Sequence, residues 1–149
     1  MYGMVLKAPG HPLEWTELPD PQPGPLEVRV HVAACGVCRT DLHVVDGELS
    51  GAITPIIPGH EIIGRIDAIG PGVTGLRIGE RVGIPLLGHT CGACGYCKTG
   101  RENLCDNPLF TGHTRNGGFA TTTIADSRYV FPLGEEVSDE ALAPLLAPA

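Results

Sequence analysis

A mostly β domain, a barrel or sandwich of short strands, is what this sequence predicts, on three observations. Gly 21 and Pro 14 in 149 residues punctuate the chain too often for long helices. Short stretches alternate apolar and polar side chains, the period of a half-buried strand. Turn-forming segments recur at regular spacing without internal repeat or linker, so residues 1–149 read as one domain.

In chain order, "YGMVLKA" and "LEWTEL" are strands separated by the Pro9-Gly10 turn. "PDPQPGP", Pro19 to Pro25, is a stiff turn that no regular element crosses. "EVRVHVAACG" places Val28, Val30 and Val32 on one face and Arg29 and His31 on the other. "RTDLHVV" has the length of one or two helical turns, and "EIIGRIDAIG" and "ERVGIPLL" return to strand. "FATTTIA" and "RYVFPL" make two more strands, with Asn116-Gly117 before them as a hairpin-type turn. Only the end reads as helical: Ser138 as N-cap, Asp139 and Glu140 in the first turn, then "ALAPLLA" interrupted by Pro144.

A net charge of −7 without a basic block argues against nucleic acid as a partner. No run approaches the roughly 20 apolar residues of a membrane span. "MYGMVLKAPG" lacks the basic and apolar regions of a signal peptide. The expected compartment is the cytosol, where thiols stay reduced and clustered cysteines bind metal more often than they form disulfides.

Four of the six cysteines fall in "CGACGYCKTGRENLC" with the spacing C-x2-C-x2-C-x7-C. Glycines at 92, 95 and 100 allow the loop to fold back until Cys91, Cys94, Cys97 and Cys105 converge. Four thiolates in tetrahedral array suit zinc, and a site with every position filled is structural. The bacterial iron–sulfur run also opens C-x2-C-x2-C, but its last cysteine follows three residues later and precedes proline. Here it follows seven residues later and precedes Asp106. His89 and His113 flank this stretch, and His89 is a competing ligand that four thiols make unnecessary.

A second constellation lies in "CGVCRTDLH" and "PGHE". Cys38, His60 and Glu61 supply a thiolate, an imidazole and a carboxylate for a metal with a vacant position. Asp41 can orient the imidazole, and Thr40 and His43 can carry a proton toward water. Cys35 and Cys38 also form C-x-x-C, but no βαβ pattern surrounds them, so Cys35 reads as a small core residue. Trp15 reads as a core or interface anchor, and His11 and His31 as surface residues.

Both constellations, in this order, resemble the zinc-dependent medium-chain alcohol dehydrogenases. The resemblance runs from "GMVLKAPG" through "ACGVCRTDLHVVDGEL", "PIIPGHEIIGRI", "GERVGIPLLG" and the cysteine stretch to "NPLFTGHTRNGGFA". It implies the family's GroES-like catalytic domain, a partly open β-barrel with short helices and a four-cysteine zinc lobe at about 88–112. By resemblance Cys38 and His60 would hold a catalytic zinc, with Glu61 as alternate ligand and Asp41 bracing His60. Thr40 and His43 would pass the alcohol proton outward, Arg39 would face the cofactor pyrophosphate, and Leu86 and Leu87 would line the alcohol pocket. Cys91, Cys94, Cys97 and Cys105 would hold the structural zinc. The implied reaction oxidises an alcohol to an aldehyde or ketone by hydride transfer to NAD(P).

Two departures accompany the resemblance. The family's Rossmann domain follows the catalytic one, and residues 138–147 read as the start of the helix leading to it. Gly70-Pro-Gly72-Val-Thr-Gly75 fits G-x-G-x-x-G but leads into a strand, so it reads as a turn. An isolated or truncated catalytic domain is therefore expected, with little dehydrogenase activity alone and an exposed face inviting self-association. In addition, the family's "PLLCAG" reads "PLLAPA" here. Ala147, followed by Pro148 and Ala149, stands where a further cysteine ligand is typical. Two readings from other classes stay open: a structural module with only the four-cysteine site filled, and a hydrolytic zinc site at Cys38, His60 and Glu61.

Overall fold

The computed structural model describes residues 1–147; Pro148 and Ala149 lie outside the described residues. Nine strands and two short α-helices follow in order: β1 (Tyr2–Val5), β2 (Glu14–Glu17), β3 (Glu27–Gly36), α1 (Arg39–Asp46), β4 (Glu61–Ile69) and β5 (Arg81–Ile84), then β6 (Leu87–His89), β7 (Leu109–Phe110), β8 (Thr122–Asp126), β9 (Phe131–Pro132) and α2 (Asp139–Leu142). The main sheet is antiparallel, in the order β8-β3-β4-β5-β9, with β1-β2 and β6-β7 as separate hairpins.

The alternation in β3 sends Val28 and Val30 inward, where they meet Ile62 and Ile66 of β4, Val82 and Ile84 of β5, and Ala125 of β8. Each fully buried aliphatic contributes about 1.5–3 kcal/mol. Register slips put one extra residue in β4, Asp67, and one in β3, Ala33, and such bulges increase local twist, curling the sheet around its core. Gly64 permits β4 to lie close against β3, since a Cβ there would lie 2.3 Å from the His31 carbonyl oxygen. A smaller cluster of Leu6, Val44 and Ile56 pins α1 to the barrel through its one buried aliphatic face residue, Val44.

Three expectations change. "RYVFPL" is not a continuous strand: Ser127–Tyr129 form a 3-10 turn, because the Asp126 carboxylate accepts the Arg128 N–H and closes it. Asn116-Gly117 does not join neighbouring strands, since β7 pairs with β6 and β8 with β3. Instead the Asn116 side chain accepts the Ile57 N–H at 3.0 Å, bringing the loop onto the segment before His60. Trp15 is 61% exposed, its ring stacked on Tyr2 on the outer face of the β1-β2 hairpin, and is not a core residue.

The end of the chain is helical for one α-turn capped by Ser138, then tightens to a 3-10 helix over Ala143–Leu146 that begins beside Pro144. Buried Arg81 holds this segment on the barrel, donating to Gly134 O, to Val137 O at 2.8 Å and to Asp139 Oδ1 at 2.6 Å. Among the described residues no helix is long and apolar enough to cross a membrane. The Gly70–Gly75 segment carries no helix, and β4 and β5 on either side of it pair antiparallel.

Candidate metal centres

The fold brings Cys38, Asp41 and His60 together although His60 lies 22 residues beyond Cys38. Cys38 ends the loop after β3 and is the N-cap of α1; its sulfur accepts the Thr40 N–H at 3.3 Å. His60 sits in the Pro58–His60 turn before β4 and is 2% exposed. Its Nε2 lies 3.2 Å from Cys38 Sγ, and its Nδ1 lies 3.4 Å from Asp41 Oδ1.

Asp41, itself buried, is the hub. Its Oδ2 accepts the Cys38 N–H at 2.9 Å and its Oδ1 the Gly59 N–H at 3.0 Å. One carboxylate thus fixes both chain segments that deliver the candidate ligands. A carboxylate facing Nδ1 selects the Nδ1–H tautomer and leaves the Nε2 lone pair toward Cys38 Sγ. Two donors on one side thus fit a metal, the Cys38 sulfur and His60 Nε2, with the Asp41 carboxylate bracing the ring from behind; the three groups lie within 4.8 Å of one another.

Glu61, next in the chain, is buried, but its carboxylate is turned over Gly36, where a Cβ would lie 1.9 Å from Oε2. Thr40 and His43 lie three apart on one face of α1, both half-buried. His43 Nδ1 pairs with the Glu48 carboxylate across the Gly47 C-cap. Arg39 is exposed at the first position of α1. Behind the turn, a Cβ on Gly117 would meet the Gly59 carbonyl at 2.0 Å, so the loop that follows β7 backs His60 closely.

Cys35 is free and packs against the barrel core. Burial pushes its thiol up to about 12, outweighing the help of the Glu61 N–H. At pH 8 only about one molecule in ten thousand is then thiolate, the nucleophilic form. With metal removed, iodoacetamide is expected to alkylate the exposed or lowered thiols of Cys91 and Cys94 first and to spare Cys35. Peptide mass mapping of a short labelling at pH 8 reads this directly, and early Cys35 adduct would contradict it.

The second centre is built by one loop. Cys91, Cys94, Cys97 and Cys105 lie between β6 and β7, and their sulfurs all fall within 4.8 Å of one another. Two 3-10 turns, Cys97–Thr99 and Glu102–Leu104, and the left-handed Gly100 fold the loop back. Cys91 Sγ accepts the Ala93 and Cys94 N–H groups, Cys94 Sγ that of Cys97, and Cys105 Sγ those of Cys91 and Asn107. These amides lower the Cys91 thiol and, with the Asp106 N–H, bring Cys94 to about 6, so the first two sulfurs are prepared as thiolates. Cys97 goes the other way: partial removal from water pushes it to about 11 against the pull of the Thr90 hydroxyl and Gly92 N–H. Four converging soft donors, joined by no other ligand among the described residues, suit tetrahedral zinc. His89 does not join them; its Nδ1 bonds the Asp126 carboxylate at 2.7 Å.

A small curled β-barrel carrying a four-thiol lobe on one hairpin defines a GroES-like domain. Residues 24–135 match the family model of the alcohol dehydrogenase GroES-like domain, and the chain belongs to that family. A probable alcohol dehydrogenase, AdhA, of Mycobacterium tuberculosis (strain CDC 1551 / Oshkosh) is 45% identical over an aligned length of 140, with 91% of this chain and 40% of that protein covered. The crystal structure of an NAD-dependent alcohol dehydrogenase superposes with TM-score 0.89 at 36% identity, covering 96% of this chain and 42% of the other. A cobalt- and zinc-bound thermostable alcohol dehydrogenase from Pyrobaculum aerophilum superposes with TM-score 0.88 at 30% identity, covering 97% and 44%. The chain thus spans about two fifths of the length of the curated relatives it matches.

Three participants were missed in the sequence. Glu48 pairs with His43 only because Gly47 turns the chain back, and an acid just past a helix-ending glycine is a weak signal. Asn116 was read as turn chemistry, whereas its side chain ties a loop to the His60 segment. The His89-Asp126-Arg128 cluster joins residues 37 and 39 positions apart, which no local pattern announces.

Proposed function

We propose that this chain is the catalytic domain of a zinc-dependent alcohol dehydrogenase acting on a small alcohol or aldehyde in a reducing, cytosolic compartment. The observation that carries the reading is the approach of His60 Nε2 to within 3.2 Å of Cys38 Sγ, with Asp41 behind the ring. The alcohol dehydrogenase relatives, one of them cobalt- and zinc-bound, support it. Cys38 and His60 hold the catalytic zinc, with Glu61 as a ligand only after its carboxylate swings away from Gly36. Cys91, Cys94, Cys97 and Cys105 hold the structural zinc.

When bound, the open-site zinc supplies Lewis acidity toward an alcohol oxygen, and NAD(P) accepts the hydride. The chain's own work is positional. Asp41 keeps the His60 ring in one tautomer, and α1 presents the Cys38 sulfur beside it. Thr40 would take the substrate hydroxyl's proton as it gives up its own toward His43, which lies one turn along the same face, is held by Glu48 and passes a proton to solvent. Leu86, Leu87, Phe110 and Leu146 line an apolar cleft of about 320 Å³ suited to the carbon end of such a substrate. Among the described residues no βαβ unit forms a dinucleotide cradle; exposed Arg39 offers one cation to the cofactor's phosphates.

Zinc per chain, measured on protein purified without chelator, tests the proposal. Two equivalents falling to one in Cys38→Ala is the expected result. One equivalent in both proteins overturns the open site and leaves a module with only the cysteine lobe filled. Two equivalents together with ester hydrolysis and no alcohol binding would favour a hydrolytic site instead.

A further inference from the structure

Four thiolates around a zinc ion carry a net charge of about −2. Between Cys91 and Cys105 the loop itself contributes only Lys98, Arg101 and Glu102, with Asp106 immediately after. Backbone N–H groups offset part of the charge, but unevenly. Five of them point at Cys91, Cys94 and Cys105, and none of those five at Cys97.

On the Cys97 side only the Gly92 N–H and the Thr90 hydroxyl reach the sulfur, and Arg128, from the 3-10 turn after β8, adds a full positive charge there. It lines one cleft of the structure together with Gly92 and Cys97. Its Nη2 donates to the carbonyl of Thr90, the residue before Cys91, at 3.1 Å. Its Nη1 sits against the first knuckle, 3.7 Å from where a Cβ on Gly92 would stand. Nε and Nη2 grip the Asp126 carboxylate, whose side chain is 7% exposed and which also binds His89. A guanidinium is planar and forked, so gripping Asp126 along its Nε/Nη2 edge directs Nη1 the opposite way. Asp126 neutralises the pair at long range, yet the end nearest the lobe is positive. The Asp126 carboxyl is held at about 2, as the bonds from Arg128 and His89 outweigh the upward push of burial, so the grip persists across ordinary pH.

We infer that Arg128 is the counter-cation of the four-cysteine metal site, anchored by Asp126 and His89 so that its Nη1 end compensates the thiolate charge on the Cys97 side. This rests on the reading that the lobe holds zinc. The role belongs to a positioning residue: Arg128 ligates nothing, and its charge makes the filled site less costly.

The test is zinc release from the full chain into a chromogenic chelator, for wild type, Arg128→Gln and Arg128→Lys, with Arg65→Gln as a control at the exposed Glu135 pair. Arg128→Gln is expected to release lobe zinc about tenfold faster at low salt, the lower end of what loss of an outer-shell partner costs. Arg128→Lys is expected to recover much of that, and Arg65→Gln to match wild type. Because screening tightens from about 10 Å at 0.1 M salt to about 3 Å at 1 M, wild-type release should accelerate with salt while Arg128→Gln barely responds. Release by Arg128→Gln within twofold of wild type overturns the inference. So does an equal factor at every salt concentration, since that marks lost packing and not lost charge. If Arg128→Gln does not fold, the wild-type salt slope and the Lys variant still decide. A wild type with no lobe zinc at all would sink the metal reading itself, a separate and distinguishable failure.

Discussion

Asp41→Ala should lower the melting temperature by roughly 6–12 °C and weaken metal at the open site by roughly 10–100-fold. The size follows from what the carboxylate does. Its removal leaves the Cys38 N–H and the Gly59 N–H without their acceptor and the inner nitrogen of His60 without the charge that faces it at 3.4 Å, in a region where Asp41 and His60 are 3% and 2% exposed. Orphaned buried polar groups cost about 1–3 kcal/mol each; a loss of about 3 kcal/mol in all, at about 2–4 °C per kcal/mol for a domain of this size, gives that fall. Asp41→Asn, which keeps one acceptor oxygen, should fall between the two. Thermal melts with and without chelator, beside a zinc titration against a competing dye, separate the fold term from the metal term. A wild-type melting temperature and affinity in Asp41→Ala would remove Asp41 from the centre of the site.

Cys105→Ala should have the second large effect, and a local one. Cys105 is the buried member of the cluster, 7% exposed, and the only one that accepts N–H bonds from both ends of the loop, Cys91 and Asn107. With it gone, the lobe should lose its zinc, and with it stabilisation on the order of 4 kcal/mol wherever free zinc exceeds Kd by a thousandfold. The main-sheet core contains none of the four lobe cysteines, so the barrel should stay folded. The expected pattern is rapid tryptic cleavage after Lys98 or Arg101 in the variant and in chelator-treated wild type, with the rest of the chain resistant. Protection of those bonds in the variant would show that the loop holds its shape without metal.

Much of this was legible locally. The alternation of Val28, Val30 and Val32 names the inner face of β3, because side-chain direction in a strand depends only on parity. The C-x2-C-x2-C-x7-C spacing brings its own sulfurs together, since short glycine-bearing loops have few other ways to fold. Ser138 announces the last helix for the same reason: a cap and its first turn are neighbours in sequence. "RYVFPL" misled because its composition suits a strand, while the preceding Asp126 closes a turn on the Arg128 N–H. Asn116-Gly117 misled because turn chemistry reveals a bend but not which strands it joins.

What the sequence by itself determined, then, is everything set by neighbours: strand faces, caps, the convergent cysteine loop and the chemical kinds of group available. Tertiary structure alone decided which of those groups meet. It set His60 beside Cys38 across an intervening helix and turned the Glu61 carboxylate onto Gly36. It also carried Arg128 from beyond β8 to the rim of the lobe. Those meetings depend on sheet register and loop closure over tens of residues, where one slipped position reverses every side chain. No local pattern encodes that distance.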